Sequence, residues 1–264
     1  MKKLKVNDAE LACRDEGGGQ PLVFLHAFPL NQTMWDEQVA EFSKTHRVVT
    51  FDWRGFGDSD LGSAGSTMPN FADDLAGLLD QLGISSATIC GLSMGGYAAL
   101  AFCRKYPERI SALILCDTRA VTDTAEGKRA RFETAELARS KGTSAIIDSM
   151  IPKLLGGTTL ETQPQIAARV RTMIEAAQPE GIAQALIGMA GRDDSTELLT
   201  KLNCPTLIVV GEEDTLTPPS ESEKMSAAVR GSQLAVIPKA GHLANLESPA
   251  KFNRIVGEFL KNVR

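Results

Sequence analysis

Ser93 stands between two glycines in Gly91-Leu92-Ser93-Met94-Gly95. The short apolar run Ala87–Cys90 precedes it, and the Ala-rich stretch Tyr97–Phe102 follows. The order reads as strand, sharp turn, helix. Glycines on both sides let the backbone turn steeply, which leaves the hydroxyl exposed above a sheet. A serine hydroxyl is a weak nucleophile by itself, so acyl-transfer chemistry at Ser93 requires a base and an acid that orients the base.

Three histidines are available: His26, His46 and His242. His242 lies in Ala240-Gly241-His242-Leu243, between the last apolar run and the last helical stretch. It is therefore expected in a loop at a strand's carboxyl end, where it can reach Ser93. His46 precedes a strand and is expected at the opposite end of the sheet. His26 closes the run Leu22–His26 on the Ser93 face; its neighbours suggest a loop-organising role, and it is the competitor for the base. The acid should follow a strand and precede the histidine. Leu207–Val210 leads into Gly211-Glu212-Glu213-Asp214-Thr215. Asp214 is best placed, with Glu213 and Asp117 as alternates.

These side chains need a rigid frame. The chain has 264 residues, 43% hydrophobic and 23% charged, which is enough for one globular domain with an insertion. The net charge is −5 and no Lys/Arg cluster stands out, so neither nucleic acid nor an acidic membrane surface is an expected partner. Cys13, Cys90, Cys103, Cys116 and Cys204 are odd in number and lack metal-type spacing. They read as buried free thiols in a reducing compartment. Met1-Lys2-Lys3-Leu4-Lys5 has no apolar segment behind it, so no signal peptide is expected, and no apolar run is long enough to span a bilayer. The expectation is a soluble cytoplasmic protein.

The first fifteen residues alternate weakly around Asn7-Asp8 and predict a β-hairpin. Solid apolar blocks follow at Leu22–Leu25, Val48–Phe51, Ala87–Cys90, Ala112–Cys116, Leu207–Val210 and Leu234–Ile237. Such runs imply strands buried on both faces, hence a parallel sheet between helices. One helix is predicted from about Pro69 to Leu82, stopped by Gly83. A second follows Ser93 and ends near Pro107, and the last is predicted to carry Ser248 as N-cap and Pro249 in its first turn. Between Cys116 and Thr206 the strands vanish. Four helices are predicted there, near 128–141, 143–155, 163–177 and 181–190. The chain thus divides into an α/β core, 1–117 with 200–264, and a helical cap, 118–199, expected to roof the carboxyl end of the sheet.

The order Ser93…Asp214…His242, with this alternation of elements, resembles the α/β-hydrolase family over essentially the whole chain. Leu25-His26-Ala27-Phe28-Pro29 is similar to that family's oxyanion loop, with Ala27 where glycine is usual. Asp52-Trp53-Arg54-Gly55-Phe56-Gly57-Asp58-Ser59 is similar to its Asp-x-Arg-Gly turn and reads as structural. The resemblance implies an α/β-hydrolase fold, a Ser93–His242–Asp214 triad, and an oxyanion hole made by the Phe28 and Met94 amides. It implies no metal or organic cofactor. A serine at the elbow argues against haloalkane dehalogenases and epoxide hydrolases, which place a carboxylate there.

Within the family the chain looks most like 3-oxoadipate enol-lactonases and the small carboxylesterases that share their pattern. The stretches involved are Gly91-Leu92-Ser93-Met94-Gly95-Gly96, Leu115-Cys116-Asp117-Thr118, Gln178-Pro179-Glu180-Gly181 and Ala240 through Glu247. The expected substrate is a small-molecule ester of a small to medium acyl group, or an enol-lactone. The expected state is monomer or homodimer. A lactone yielding a dicarboxylic product calls for a cation: Arg192 first and Arg119 second, unless Asp193, Asp194 or Asp117 neutralises them. A reading of a different class, a non-catalytic small-ligand receptor or signalling protein on the same fold, remains to be separated by turnover.

Overall fold

All six apolar blocks become neighbouring strands in a computed structural model that describes residues 1–263. The strands are β1 (Lys2–Val6), β2 (Ala9–Gly17), β3 (Pro21–Leu25), β4 (Arg47–Phe51), β5 (Ala87–Leu92), β6 (Ile110–Cys116), β7 (Thr206–Gly211) and β8 (Gln233–Ile237). Their order across the sheet is β1-β2-β4-β3-β5-β6-β7-β8. β3 to β8 run parallel, while β2 pairs antiparallel with both β1 and β4. The predicted hairpin is β1–β2, turning at Asn7, which adopts a positive φ of 52°.

Burial explains the unbroken apolar runs. Every residue of β5 and of β7 is buried, because helices cover both faces. On one face the helix Met68–Gln81 packs Phe71, Leu75, Leu78 and Leu79 inward, and the helix Met94–Lys105 lies beside it. The Thr67 side chain caps the first of these by accepting from the Asn70 N–H, and Gly83 ends it at φ +65°. On the other face Pro249–Leu260 buries Phe252, Val256 and Phe259. Ser248 occupies its N-cap position but its side chain makes no capping hydrogen bond, contrary to the sequence expectation.

β8 also departs from expectation. It is an edge strand, and Leu234 and Val236 are exposed at 38% and 43%. A solid apolar run therefore marks two-sided burial only where a further strand continues the sheet.

Five helices of six or more residues follow β6 before β7 begins: Ala125–Lys141, Ser144–Leu154, Gly157–Thr162, Pro164–Glu175 and Pro179–Ala190. Sequence patterning missed Gly157–Thr162, because six residues give under two turns and a Gly-Gly pair reads as a break. Pro152 lies inside Ser144–Leu154 near its end, where only the final turn loses a backbone hydrogen bond. All five cysteines are free; Cys204, in the loop before β7, is only half-buried. Among the described residues no helix is long and apolar enough to cross a membrane.

Candidate active site

β5 lies at the centre of the parallel region, so the turn after it emerges at the middle of the sheet's carboxyl edge. Ser93 occupies that turn with φ +55° and ψ −112°. This is a sparsely populated region for a side chain and costs about 1–3 kcal/mol. The surroundings hold it there. The Ser93 N–H donates to the Cys116 carbonyl at 2.9 Å, and the Ser93 carbonyl accepts from the Thr118 hydroxyl at 2.9 Å. The flanking glycines are sterically required: a Cβ on Gly91 would lie 2.3 Å from the Gly95 carbonyl oxygen, and one on Gly95 2.2 Å from that of Leu25.

β7 and β8 deliver the other two groups. The loop after β7 carries Asp214 and the loop after β8 carries His242, and both reach back across the end of β6. His242 Nε2 lies 2.8 Å from Ser93 Oγ, and its Nδ1 lies 2.8 Å from Asp214 Oδ2. Asp214 Oδ1 accepts from the Leu216 and Thr217 amides, and Oδ2 also accepts from the Thr217 hydroxyl at 2.6 Å. Burial alone would push the Asp214 carboxyl up. The adjacent His242 and the Thr217 donors outweigh it and hold the group below the usual carboxylate range. An anionic Asp214 keeps the imidazole proton on Nδ1, leaving Nε2 free to accept the Ser93 proton.

The alternates are otherwise engaged. Glu213 accepts from the Thr158 amide and hydroxyl. Buried Asp117 accepts from the Gly211 amide at 2.8 Å, and burial, with Asp214 nearby, pushes its carboxyl well above the ordinary value. His46 lies at the start of β4, away from the relay, with Nδ1 against the Thr45 hydroxyl.

A cavity of about 280 Å³ opens over Ser93 and His242. Phe28, Tyr97, Leu216 and Thr217 of the core form its floor and sides, and Met150, Leu154, Leu186 and Met189 of the inserted helices roof it. Larger surface grooves of about 800 and 940 Å³ contain no member of the relay. Met94 is buried and begins the helix after Ser93, so its N–H has no partner within that helix. Phe28 follows β3 at the cavity wall. Ala27 takes no positive φ, so a methyl group is compatible with that turn. Among the described residues no cluster of three His, Cys, Asp or Glu is disposed to hold a metal ion.

The profile of the alpha/beta hydrolase fold matches residues 20–249. The chain belongs to the α/β-hydrolase family. A thermophilic esterase from Thermogutta terrifontis superposes with a TM-score of 0.97 at 44% identity, over 100% of this chain and 99% of that one. The enol-lactonase of Burkholderia xenovorans LB400 superposes with a TM-score of 0.92 at 28% identity, over 99% of this chain and 100% of its own. The 3-oxoadipate enol-lactonase 1 of Acinetobacter baylyi is 30% identical over 243 residues, 92% of this chain and 89% of that protein.

In this α/β-hydrolase the cation expected at position 192 is elsewhere. Arg192 is buried and does not line the cavity. Its guanidinium grips the Asp123 carboxylate at 2.7 and 3.1 Å and stacks over Tyr97 at 4.2 Å from the ring centre. A guanidinium so shielded needs a buried anion, and Asp123, rather than Asp117, Asp193 or Asp194, supplies it. The cavity wall is instead cationic through Arg119, Arg131 and Lys153, with Asp123 the one carboxylate lining it among the described residues. Arg119 and Arg131 also bond Asp123, so three guanidinium groups share one carboxylate. Asp123 passed unnoticed in the sequence, although Arg119 and Arg131 flank it four and eight residues away.

His26 is a brace. Its Nε2 accepts from the Trp53 amide at 2.9 Å, which puts the proton on Nδ1, where it is donated to the Ala27 carbonyl at 2.9 Å. Complete burial pushes its pKa from near 6.5 down to about 4, against a smaller opposing pull from Asp52. The unfolded chain therefore takes up a proton here before the folded chain does. The stability tied to neutral His26 is full above pH 6.5 and is lost as pH falls from there to about 4. Urea melts across that window should show a loss of up to about 3 kcal/mol, with a shallower slope in His26→Asn. An equal slope in both proteins would assign the titration to another group.

Proposed function

We propose that this chain is a serine-dependent carboxylic-ester hydrolase that works through an acyl-enzyme. The observation that carries the reading is the unbroken Ser93–His242–Asp214 relay, with both contacts at 2.8 Å, at the floor of a cavity. Ser93 attacks the ester carbonyl as His242 Nε2 takes its proton. Asp214 stabilises the imidazolium, and the proton then passes to the leaving alcohol. Water resolves the acyl-enzyme by the same route. The Phe28 and Met94 amides are read as the oxyanion donors, each worth about 10²–10³ in rate. A cavity of about 280 Å³ suits a small to medium acyl group. Esterase and enol-lactonase neighbours of nearly equal length support ester or lactone chemistry. The test is a panel of short nitrophenyl esters, enol-lactones and thioesters, together with covalent capture of Ser93 by a fluorophosphonate. Turnover without a Ser93 adduct would overturn the mechanism.

A second reading concerns charge. Three cations face the cavity against one carboxylate, which favours substrates carrying a carboxylate of their own, as an enol-lactone of a dicarboxylic acid does. The Thermogutta terrifontis esterase, solved with malate bound, is compatible with this preference. Arg131 donates to Asp123 from the inserted helices and is half-buried, and Asp123 keeps Arg119 and Arg192 as partners when Arg131 re-aims toward a ligand. Arg131→Gln should raise KM for a carboxylate-bearing ester by about 10–100-fold, the worth of one charge-assisted hydrogen bond. A neutral ester of equal length should be nearly unaffected. Equal losses on both substrates would refute the anion preference.

A further inference from the structure

Glu247 lies five residues beyond His242, is buried, and has no part in the relay. Its carboxylate gathers three backbone amides. Oε2 accepts from Gly241 at 2.9 Å and Oε1 from Leu243 at 3.0 Å, the two residues on either side of His242. Oε2 also accepts from Gly156 at 2.9 Å, in the turn between two inserted helices. The helix that starts at Gly157 is tied to the acid loop, since the Thr158 amide donates to Glu213 at 2.9 Å, and the Glu213 amide joins the acid loop to the base loop by donating to the Ala240 carbonyl at 2.8 Å. The backbones are in close contact: a Cβ on Gly241 would lie 2.1 Å from the Gly156 nitrogen.

We propose that Glu247 is the positioning residue for His242, and that by sharing one oxygen between Gly241 and Gly156 it couples the helical roof to the base. The inference rests on the relay reading above. The imidazole must meet Ser93 on one edge and Asp214 on the other, and both contacts depend on where the backbone of 241–243 stands. Side-chain rotation cannot correct a displaced backbone without losing one of the two. Fixing the amides before and after His242 removes the freedom that matters. Linking the same carboxylate to Gly156 means that an outward movement of the roof pulls on the base loop. Glu213 does the corresponding work for the acid loop through Thr158.

A misplacement of about 1 Å in a reacting group can cost about 10²-fold in rate. Glu247→Leu, which removes all three acceptors, should therefore lower kcat per titratable Ser93 by about 10²-fold on a neutral short-chain ester, with KM changed less than twofold. Glu247→Gln keeps one carbonyl oxygen and should fall between that variant and wild type. The rate of Ser93 phosphonylation should drop in step with kcat. Counting active sites by titration removes any effect of a smaller folded fraction. A merely structural Glu247 would lower the melting temperature and leave kcat per active site unchanged in both variants, which would overturn the proposal. If Glu247→Leu fails to fold, Glu247→Gln decides alone by the same measurement. Wild-type labelling at Ser93 is the control: its absence would sink the relay reading itself, whereas labelling at equal rates in wild type and Glu247→Gln sinks only the role of Glu247.

Discussion

Changing Ser93 to alanine should reduce kcat for a short-chain nitrophenyl ester by on the order of 10⁶-fold, with the fold retained. The size follows from what disappears. Without the hydroxyl there is no acyl-enzyme, and water must attack directly from a position the pocket does not define. The amide donors at Phe28 and Met94 and the cavity itself would persist, so a residue of about 10³–10⁴ over uncatalysed hydrolysis is expected. Stability should change little, because the strained φ of +55° is imposed by backbone contacts that alanine leaves in place. Hydrolysis at the wild-type rate in this variant would remove Ser93 from the mechanism. A wild-type protein that binds small esters yet turns over no ester, lactone or thioester would instead favour the receptor reading of the same fold.

The core of this arrangement was legible in the sequence because each group sits at the carboxyl end of an apolar run. Parallel strands align those ends on one edge, so Ser93, Asp214 and His242 share a rim by topology alone. The same topology left His26 as a competitor, since it too follows a strand on that rim; only its bonds to the Trp53 amide and the Ala27 carbonyl separate it from His242. The cations were not legible. Which carboxylate neutralises Arg192 depends on how the chain after β6 folds back beneath Pro179–Ala190, and that approach leaves no local signature. Position next to an acidic residue in sequence pointed to Asp193 and Asp194, whereas packing selected Asp123. Glu247 was equally hidden. Its partners at 241 and 243 are local, but its link to Gly156 spans 91 residues. Periodicity reports which face of an element is apolar; it cannot report which buried anion meets which donor.

Asp214→Asn should lower kcat by about 10⁴-fold while barely changing KM, the second largest effect expected here. The substitution is nearly isosteric, and the asparagine carbonyl can still accept from the Leu216 and Thr217 amides. Its amide nitrogen would then face His242 Nδ1 where Oδ2 now stands, 2.8 Å away. A donor at that point forces the imidazole to carry its proton on Nε2, aimed at Ser93, so the base can no longer accept. No neighbour can compensate. Glu213 is committed to Thr158, and Asp117 accepts from Gly211, with burial and nearby Asp214 pushing its carboxyl well above the ordinary value. Asp117→Asn keeps an acceptor for the Gly211 amide and touches neither Ser93 nor His242, so it should cost less than about tenfold in kcat. Steady-state kinetics on both variants decide the assignment: if Asp117→Asn proves the more damaging, the orienting acid follows β6, and the contact between Asp214 and His242 serves the fold alone.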